Sequence, residues 1–393
     1  MEAATHHHAS EIDLNPAGWR DSKRYAWLLG LVVPLAPFIA WASVAVTGFE
    51  FFWWFGPLLI FVAFPLLDIV IGMDATNPPD SVLKWLEQDR YYRWCTYAFI
   101  PLQYAGLVFA CWLWSSGDLS ILSSIGLAVT MGVVAGIGIN TAHELGHKRA
   151  SLEKWLSKVA LAQTGYGHFF IEHNRGHHVR VATPEDPASS RLGESFWAFL
   201  PRTVVGSMRS AWGIERERLG RSGISVWNWR NDVLQAWAMT VVLFAALTIV
   251  FGWVVLPFLL LQALGFTLLE VVNYLEHYGL LRQKREDGRY ERCLPEHSWN
   301  SNNVASNVLL YHLQRHSDHH ANPIRRYQAL RHVDEAPQLP TGYAGMIVLA
   351  WFPSLWRRVM DPRLLDHYDG DVTRANIQPR AERRILARYG NGA

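Results

Sequence analysis

The sequence predicts an all-α integral-membrane protein, a six-transmembrane-helix bundle with a cytoplasmic helical cap that carries a histidine-rich dimetal site. Three observations predict it. Five stretches of the 393-residue chain, at 25–49, 51–67, 94–117, 119–143 and 233–269, contain no Asp, Glu, Lys or Arg. The segments joining them carry basic residues on one side only. Histidines then recur in ligand-spaced groups, several just beyond the ends of those stretches. The chain-wide averages, 18% charged residues and a net charge of +2, hide this division between two materials. It excludes a water-soluble globule and a disordered chain, and with no dominant basic run it excludes a nucleic-acid binder.

A helix needs roughly 20 residues at 1.5 Å each to cross a hydrocarbon core about 30 Å thick. That length gives six crossings, at 25–46, 51–71, 94–114, 121–140, 233–251 and 254–274. The 37-residue stretch is too long for one span, and Gly252-Trp253 supplies its turn. The loops at 47–50, 115–120 and 252–253 carry no Lys or Arg. The opposite side holds Arg20, Lys23 and Arg24, then Lys84, Arg90 and Arg93, then the basic residues from Lys148 to Arg230 and from Arg282 onward. The excess of cations on cytoplasmic loops therefore places both termini in the cytoplasm. The chain divides into a cytoplasmic segment 1–24, spans one to four over 25–140, and a cytoplasmic histidine region with interfacial helices over 141–232. Spans five and six follow over 233–274, then a cytoplasmic C-terminal region over 275–393 with the last histidine group. Phe196 to Trp212 mixes aromatic and basic residues and is expected along the membrane interface. Gly132, Gly136 and Gly138 in the fourth span read as close helix packing. Three cysteines without pair spacing predict neither disulfides nor a zinc ribbon.

Seventeen histidines are present, and their placement carries the chemistry. His143 and His147, in HELGH, sit four apart on one helix face just past the fourth span. His173, His177 and His178 form H-x3-H-H. His316, His319 and His320 form H-x2-H-H, with His312 four residues upstream, and His277 ends the sixth span. Topology brings all of them to one cytoplasmic layer. One i, i+4 pair is often only a polar helix face, but three separate ligand-spaced groups are hard to read that way. Neutral imidazole is the commonest ligand for iron, zinc and copper. Eight or nine imidazoles exceed the needs of one ion, so two metals are expected. HELGH also matches the zinc-protease signature, with Glu144 as base, but that reading leaves six or more clustered histidines unused. A metal transporter would place ligands across the bilayer midplane, where these spans have no histidine. An all-imidazole dimetal site with open positions suits iron and dioxygen, with bilayer-dissolved substrate arriving sideways.

These spacings resemble the histidine boxes of membrane fatty-acid desaturases and hydroxylases. More narrowly, NTAHELGHK (140–148), EHNRGHH (172–178), VATPEDPASSRLGES (181–195), NYLEHYGL (273–280) and LQRHSDHHANPIRRYQALR (313–331) resemble the membrane-bound alkane 1-monooxygenases. The resemblance covers nearly the whole chain. It implies hydroxylation of the terminal methyl of medium-chain n-alkanes to 1-alkanols, with dioxygen as co-substrate. It further implies two non-haem iron ions held by His143, His147, His173, His177, His178, His277, His316, His319 and His320. Electrons would come from a separate rubredoxin, itself reduced by a rubredoxin reductase, because this chain has no C-x-x-C of its own. Another membrane di-iron lipid desaturase or hydroxylase is the alternative within the superfamily, and a zinc metalloprotease using HELGH the alternative outside it.

Nine neutral imidazoles cancel none of the charge of two divalent ions, so carboxylates are expected as acceptors for the outer ring N–H groups. Glu144, Glu172, Glu276, Asp186 and Asp318 adjoin the histidines in sequence. Glu270 and Asp68 lie near the cytoplasmic ends of their spans, and His312 is expected beside the ligands without binding metal. Trp53, Trp54 and Phe55 are candidates for the far wall of a substrate channel. Arg325, Arg326 and Arg331, around the last histidine box, are candidates for docking the acidic electron donor.

Overall fold

The computed structural model describes residues 18–390; most of the expected N-terminal segment 1–24 lies outside them. The described chain is helical, with no β-strand and only isolated bridges. Five helices are long and apolar enough to cross a membrane: Glu50–Ile71, Arg90–Ser116, Ile121–Gly146, Asp232–Phe251 and Trp253–His277. A sixth candidate is a bent pair, Ala26–Val32 and Ala36–Thr47, with 68° between its halves.

The first candidate is therefore not the straight helix its hydropathy suggests. Pro34 and Pro37 remove backbone donors where a continuous helix would need them, so a 3-10 segment and an α-helix meet at an angle. The second is also irregular, opening as a 3-10 turn at Glu50–Trp54 and passing through a π turn at Leu59–Ala63. The third, fourth and fifth start on side-chain caps, with Asp89, Ser120 and Asn231 each accepting from first-turn amides.

The fourth helix is the axis of the bundle, with 72% of its most apolar window buried. It reaches the sixth helix through glycines. A Cβ on Gly136 would strike the Gly265 carbonyl, and one on Gly265 would strike Gly132, so the two backbones touch. Gly138 instead faces Gln103 of the third helix. The fourth helix runs past residue 140 to Gly146, so His143 sits in its last turn. Ser151–Leu161 then folds back along it, with Ser157 Oγ donating to the Ala142 carbonyl at 2.6 Å. Two other histidine segments cap the same end of the bundle, Phe169 to Arg180 and His316–Ala321. Phe196–Gly220 is one long helix, with Trp197, Val205 and Met208 exposed.

Candidate metal centre

Four separate segments deliver histidines to one end of the bundle. The fourth helix supplies His143, and His147 follows at its cap. The second box arrives on a π turn, His173–His177. Its extra residue per turn brings His173, His177 and His178 toward one side, a use typical of π turns at functional sites. His277 is the last residue of the sixth helix, and His316, His319 and His320 lie on a six-residue helix.

The nine histidines separate into two groups. His143, His147, His173, His178 and His319 offer nitrogens that all lie within 4.8 Å of one another, and so do His177, His277, His316 and His320. Within the groups, Nε2 atoms confront each other: His143 and His319 at 2.9 Å, His173 and His178 at 3.1 Å, His178 and His319 at 3.2 Å, His316 and His320 at 2.9 Å. The Nε2 atoms of His147, His177 and His277 are buried without any hydrogen-bond partner.

The outer nitrogens explain why. His177 Nδ1 stands 2.9 Å from Asp186 Oδ2, and His277 Nδ1 stands 3.3 Å from the His297 carbonyl. Both acceptors can only accept, so both Nδ1 atoms carry the proton and both Nε2 atoms present a lone pair. Lone pairs aimed at one point need a cation between them. A first-row divalent ion binds imidazole at about 2.0–2.1 Å, which suits nitrogens about 3 Å apart. The donor set therefore fits two metal ions.

Burial tunes these rings for that task. It holds His147, His173, His178, His316, His319 and His320 well below the usual imidazole pKa, with neighbouring imidazoles adding to the effect. All six are neutral and able to ligate at pH 7. Burial opposes the charge of Asp186, yet His177 and the Ser189 hydroxyl outweigh it and hold the carboxyl at about 2.

The expected carboxylates divide sharply. Asp186 meets His177, and Glu276 Oε1 lies 3.2 Å from His316 Nδ1. The other five touch no histidine of either group. Glu144 pairs with Lys148 at 3.0 Å and accepts from the Tyr327 amide, so it is committed to structure rather than standing as a base in HELGH. Glu172 pairs with Arg180 at 3.0 Å, and Asp318 with Arg325 at 2.7 Å. Asp68 accepts from the amide and hydroxyl of Ser306. Glu270 accepts from Tyr166 at 2.7 Å and Thr203 at 2.8 Å, tying the sixth helix to two outer segments. His312 turns away, its Nδ1 bonded to the Tyr327 carbonyl and its ring edge-on to Trp27. The His297 carbonyl was invisible in the sequence, because a main-chain acceptor leaves no mark on residue identity.

One apolar cavity reaches both groups, lined by His143 and His173 of the first and His316 of the second. Its walls include Ile60, Ile137, Leu268, Val272, Leu310 and Ile347. Trp53, Trp54 and Phe55 are not among its lining residues. Trp53 is instead buried beside the fourth helix, its carbonyl accepting from Thr130 Oγ1, and Trp54 lies against Gly126. The three docking candidates are all ion-paired, Arg325 with Asp318, Arg326 with Glu153 and Arg331 with Asp80, so their charge is largely compensated at home.

Fold and site together define a class: a helical membrane metalloenzyme whose two histidine groups share one oily cavity. Comparison with known proteins narrows it. The family model "Fatty acid desaturase" matches residues 119–350. The chain is 49% identical over 370 residues to alkane 1-monooxygenase 1 of Alcanivorax borkumensis, covering 93% of this chain and 91% of that one. It is 49% identical over 379 residues to the alkane 1-monooxygenase of Acinetobacter baylyi, covering 94% and 92%. The alkane 1-monooxygenase of Ectopseudomonas oleovorans matches at 46% over 374 residues, covering 95% and 93%. This chain belongs to the fatty acid desaturase family and, within it, to the alkane 1-monooxygenases.

Proposed function

We propose that the chain is a six-span, non-haem di-iron monooxygenase that hydroxylates the terminal methyl of medium-chain n-alkanes. The observation that carries the reading is the apolar cavity that touches both histidine groups. In overall balance an alkane, dioxygen, two electrons and two protons give a 1-alkanol and water. Iron held by the nine histidines supplies the activation of dioxygen. Everything else falls to the chain. Asp186 and the His297 carbonyl hold the imidazoles of His177 and His277 in the tautomer that ligates, and Glu276 lies close to His316. The cavity walls desolvate the substrate and admit its end toward His143, His173 and His316. An alkane has no polar handle, so shape alone selects the methyl over the intrinsically weaker secondary C–H bonds.

The basic loops orient the histidine end toward the cytoplasm of an inner membrane, with both termini there, and 141–232 together with most of 275–393 forms the cap. The electron donor is a separate rubredoxin, reduced by its own reductase, meeting the face that carries Arg325, Arg326 and Arg331. Of those side chains Arg331 is the most exposed, at 31%. The decisive experiment is metal analysis of the purified membrane protein, followed by product identification with octane, dioxygen, rubredoxin and its reductase. Two irons per chain and 1-octanol are expected. Zinc in place of iron, an alkene product, or no alcohol from a fully loaded protein overturns the reading.

A further inference from the structure

The sequence reading places the C-terminal region 275–393 outside the bilayer, and one part of it is as free of charge as the spans themselves. Residues 336–356 form a 21-residue stretch without a single charge. Within it lie the helix Tyr343–Ala350 and a sharp turn into Pro353–His367. The stretch is long enough to span, but Pro337, Pro340 and Pro353 break it, and its one complete helix has only eight residues, too short to cross and suited to a re-entrant or buried segment.

The contacts give its depth. Gly342, at the start, lies against the carboxylate of Asp68, near the histidine-side end of the second span. Trp351, at the far end, packs against Phe61 with ring centroids 4.8 Å apart. From Asp68 to Phe61 the second span travels seven residues toward its middle, about 10 Å. At that level the span's other face bears exposed Val62 and Leu66, a surface suited to lipid. The return limb brings Trp356 back against Tyr274 and Tyr278 at the end of the sixth helix. Its turn leaves the Trp351 carbonyl without a helical partner, and Trp197 Nε1 donates to it at 3.0 Å. That bond satisfies a backbone group which hydrocarbon could not. The turn also bears exposed Phe352 and Leu355. On the inner side, Ala344 and Ile347 line the cavity opposite Ile60, which lies in the second span's π turn.

We propose that 343–356 is a re-entrant hairpin that dips into the bilayer between the second and sixth spans and forms the side wall through which hydrocarbon reaches the cavity. This rests on the alkane reading above for the identity of the substrate, but not for the depth of the hairpin. Displacing a short hairpin costs less than parting two full spans, so it is the movable wall.

Depth is tested by a nitroxide on F352C in a C293S background, with the full-length protein in phospholipid nanodiscs. Collision with oxygen is compared with collision with a water-soluble nickel complex. A label at 352 should match a lipid-facing control at V242C, and a match to the aqueous control R221C overturns the proposal. The wall is tested with Ile347→Trp and Ile347→Ala at equal iron content. The Trp variant should lose tenfold or more in kcat/KM for linear alkanes, and the Ala variant should raise turnover of branched relative to linear substrates. Unchanged rate and ratio in both variants overturns the wall. If the unaltered protein hydroxylates no alkane, the functional reading fails while the depth result stands by itself.

Discussion

Asp186 shows how one side chain decides what a histidine can do. Its carboxylate fixes the proton of His177 on Nδ1 and so turns Nε2 inward. Losing such a partner typically costs 10–100-fold in metal affinity. Asp186→Asn is therefore expected to lower iron toward one per chain after dialysis, leaving the five-histidine group loaded; full retention of two irons would show that His177 needs no such partner. Glu270→Gln makes the opposite case. It removes a carboxylate that holds Tyr166 and Thr203 but no histidine. Loss of hydrogen bonds to a buried charged group costs on the order of 1.5–3 kcal/mol, so a lower melting temperature with unchanged iron content is expected. Iron loss at normal stability would place Glu270 at the centre after all. Asp186 and Glu270 look alike in sequence, each an acidic residue near a box, and only packing separates them.

Packing of whole elements is set by equally small features. The Gly136–Gly265 contact lets the fourth and sixth helices meet backbone to backbone, which brings His143 and His277 to the same end. Overpacking a close contact costs roughly 1–3 kcal/mol. Gly265→Val should therefore destabilise the bundle in detergent and reduce iron binding in both groups, and a neutral outcome would mean that the crossing is not tight. Glycine spacing in the fourth span made this contact legible beforehand, although its partner was not. The bend in the first candidate span follows from Pro34 and Pro37, which were present to be read. Hydropathy averages over backbone geometry and so merged the two halves. The hairpin at 343–356 escaped because its charge-free run is broken by Pro340 and Pro353, so it does not read as one continuous span.

Across the molecule, charge and burial set the response to pH and to partners. His173, His316, His319 and His320 are buried and held well below the ordinary imidazole pKa. Below about pH 6.5 the unfolded chain takes up protons that the folded, metal-free protein cannot. Stability of the apoprotein should thus fall as pH drops through that range and level off above it. Chemical denaturation between pH 5 and pH 8 checks this, and a flat profile would mean that the rings take up protons in the folded state as readily as in the unfolded one. Donor binding belongs here too. Reversing Arg331 to Glu should slow reduction by an acidic rubredoxin and weaken its dependence on salt, while leaving iron content unchanged. Identical stopped-flow rates in both proteins would move the docking face elsewhere.

The alternation of charge-free and charged stretches already implied a membrane bundle with histidines gathered at one end, because hydrocarbon thickness and ligand spacing are both written along a single chain. The nine histidines were legible for that reason, each box being a local pattern. Their division into five and four was not, since His177 and His178 are neighbours in sequence yet serve different groups. Nor was it visible which carboxylates meet an imidazole, that the His297 backbone supports His277, or that a C-terminal hairpin lies beside the second span. Those depend on distances between segments remote in sequence, and only the folded packing of the helices sets them.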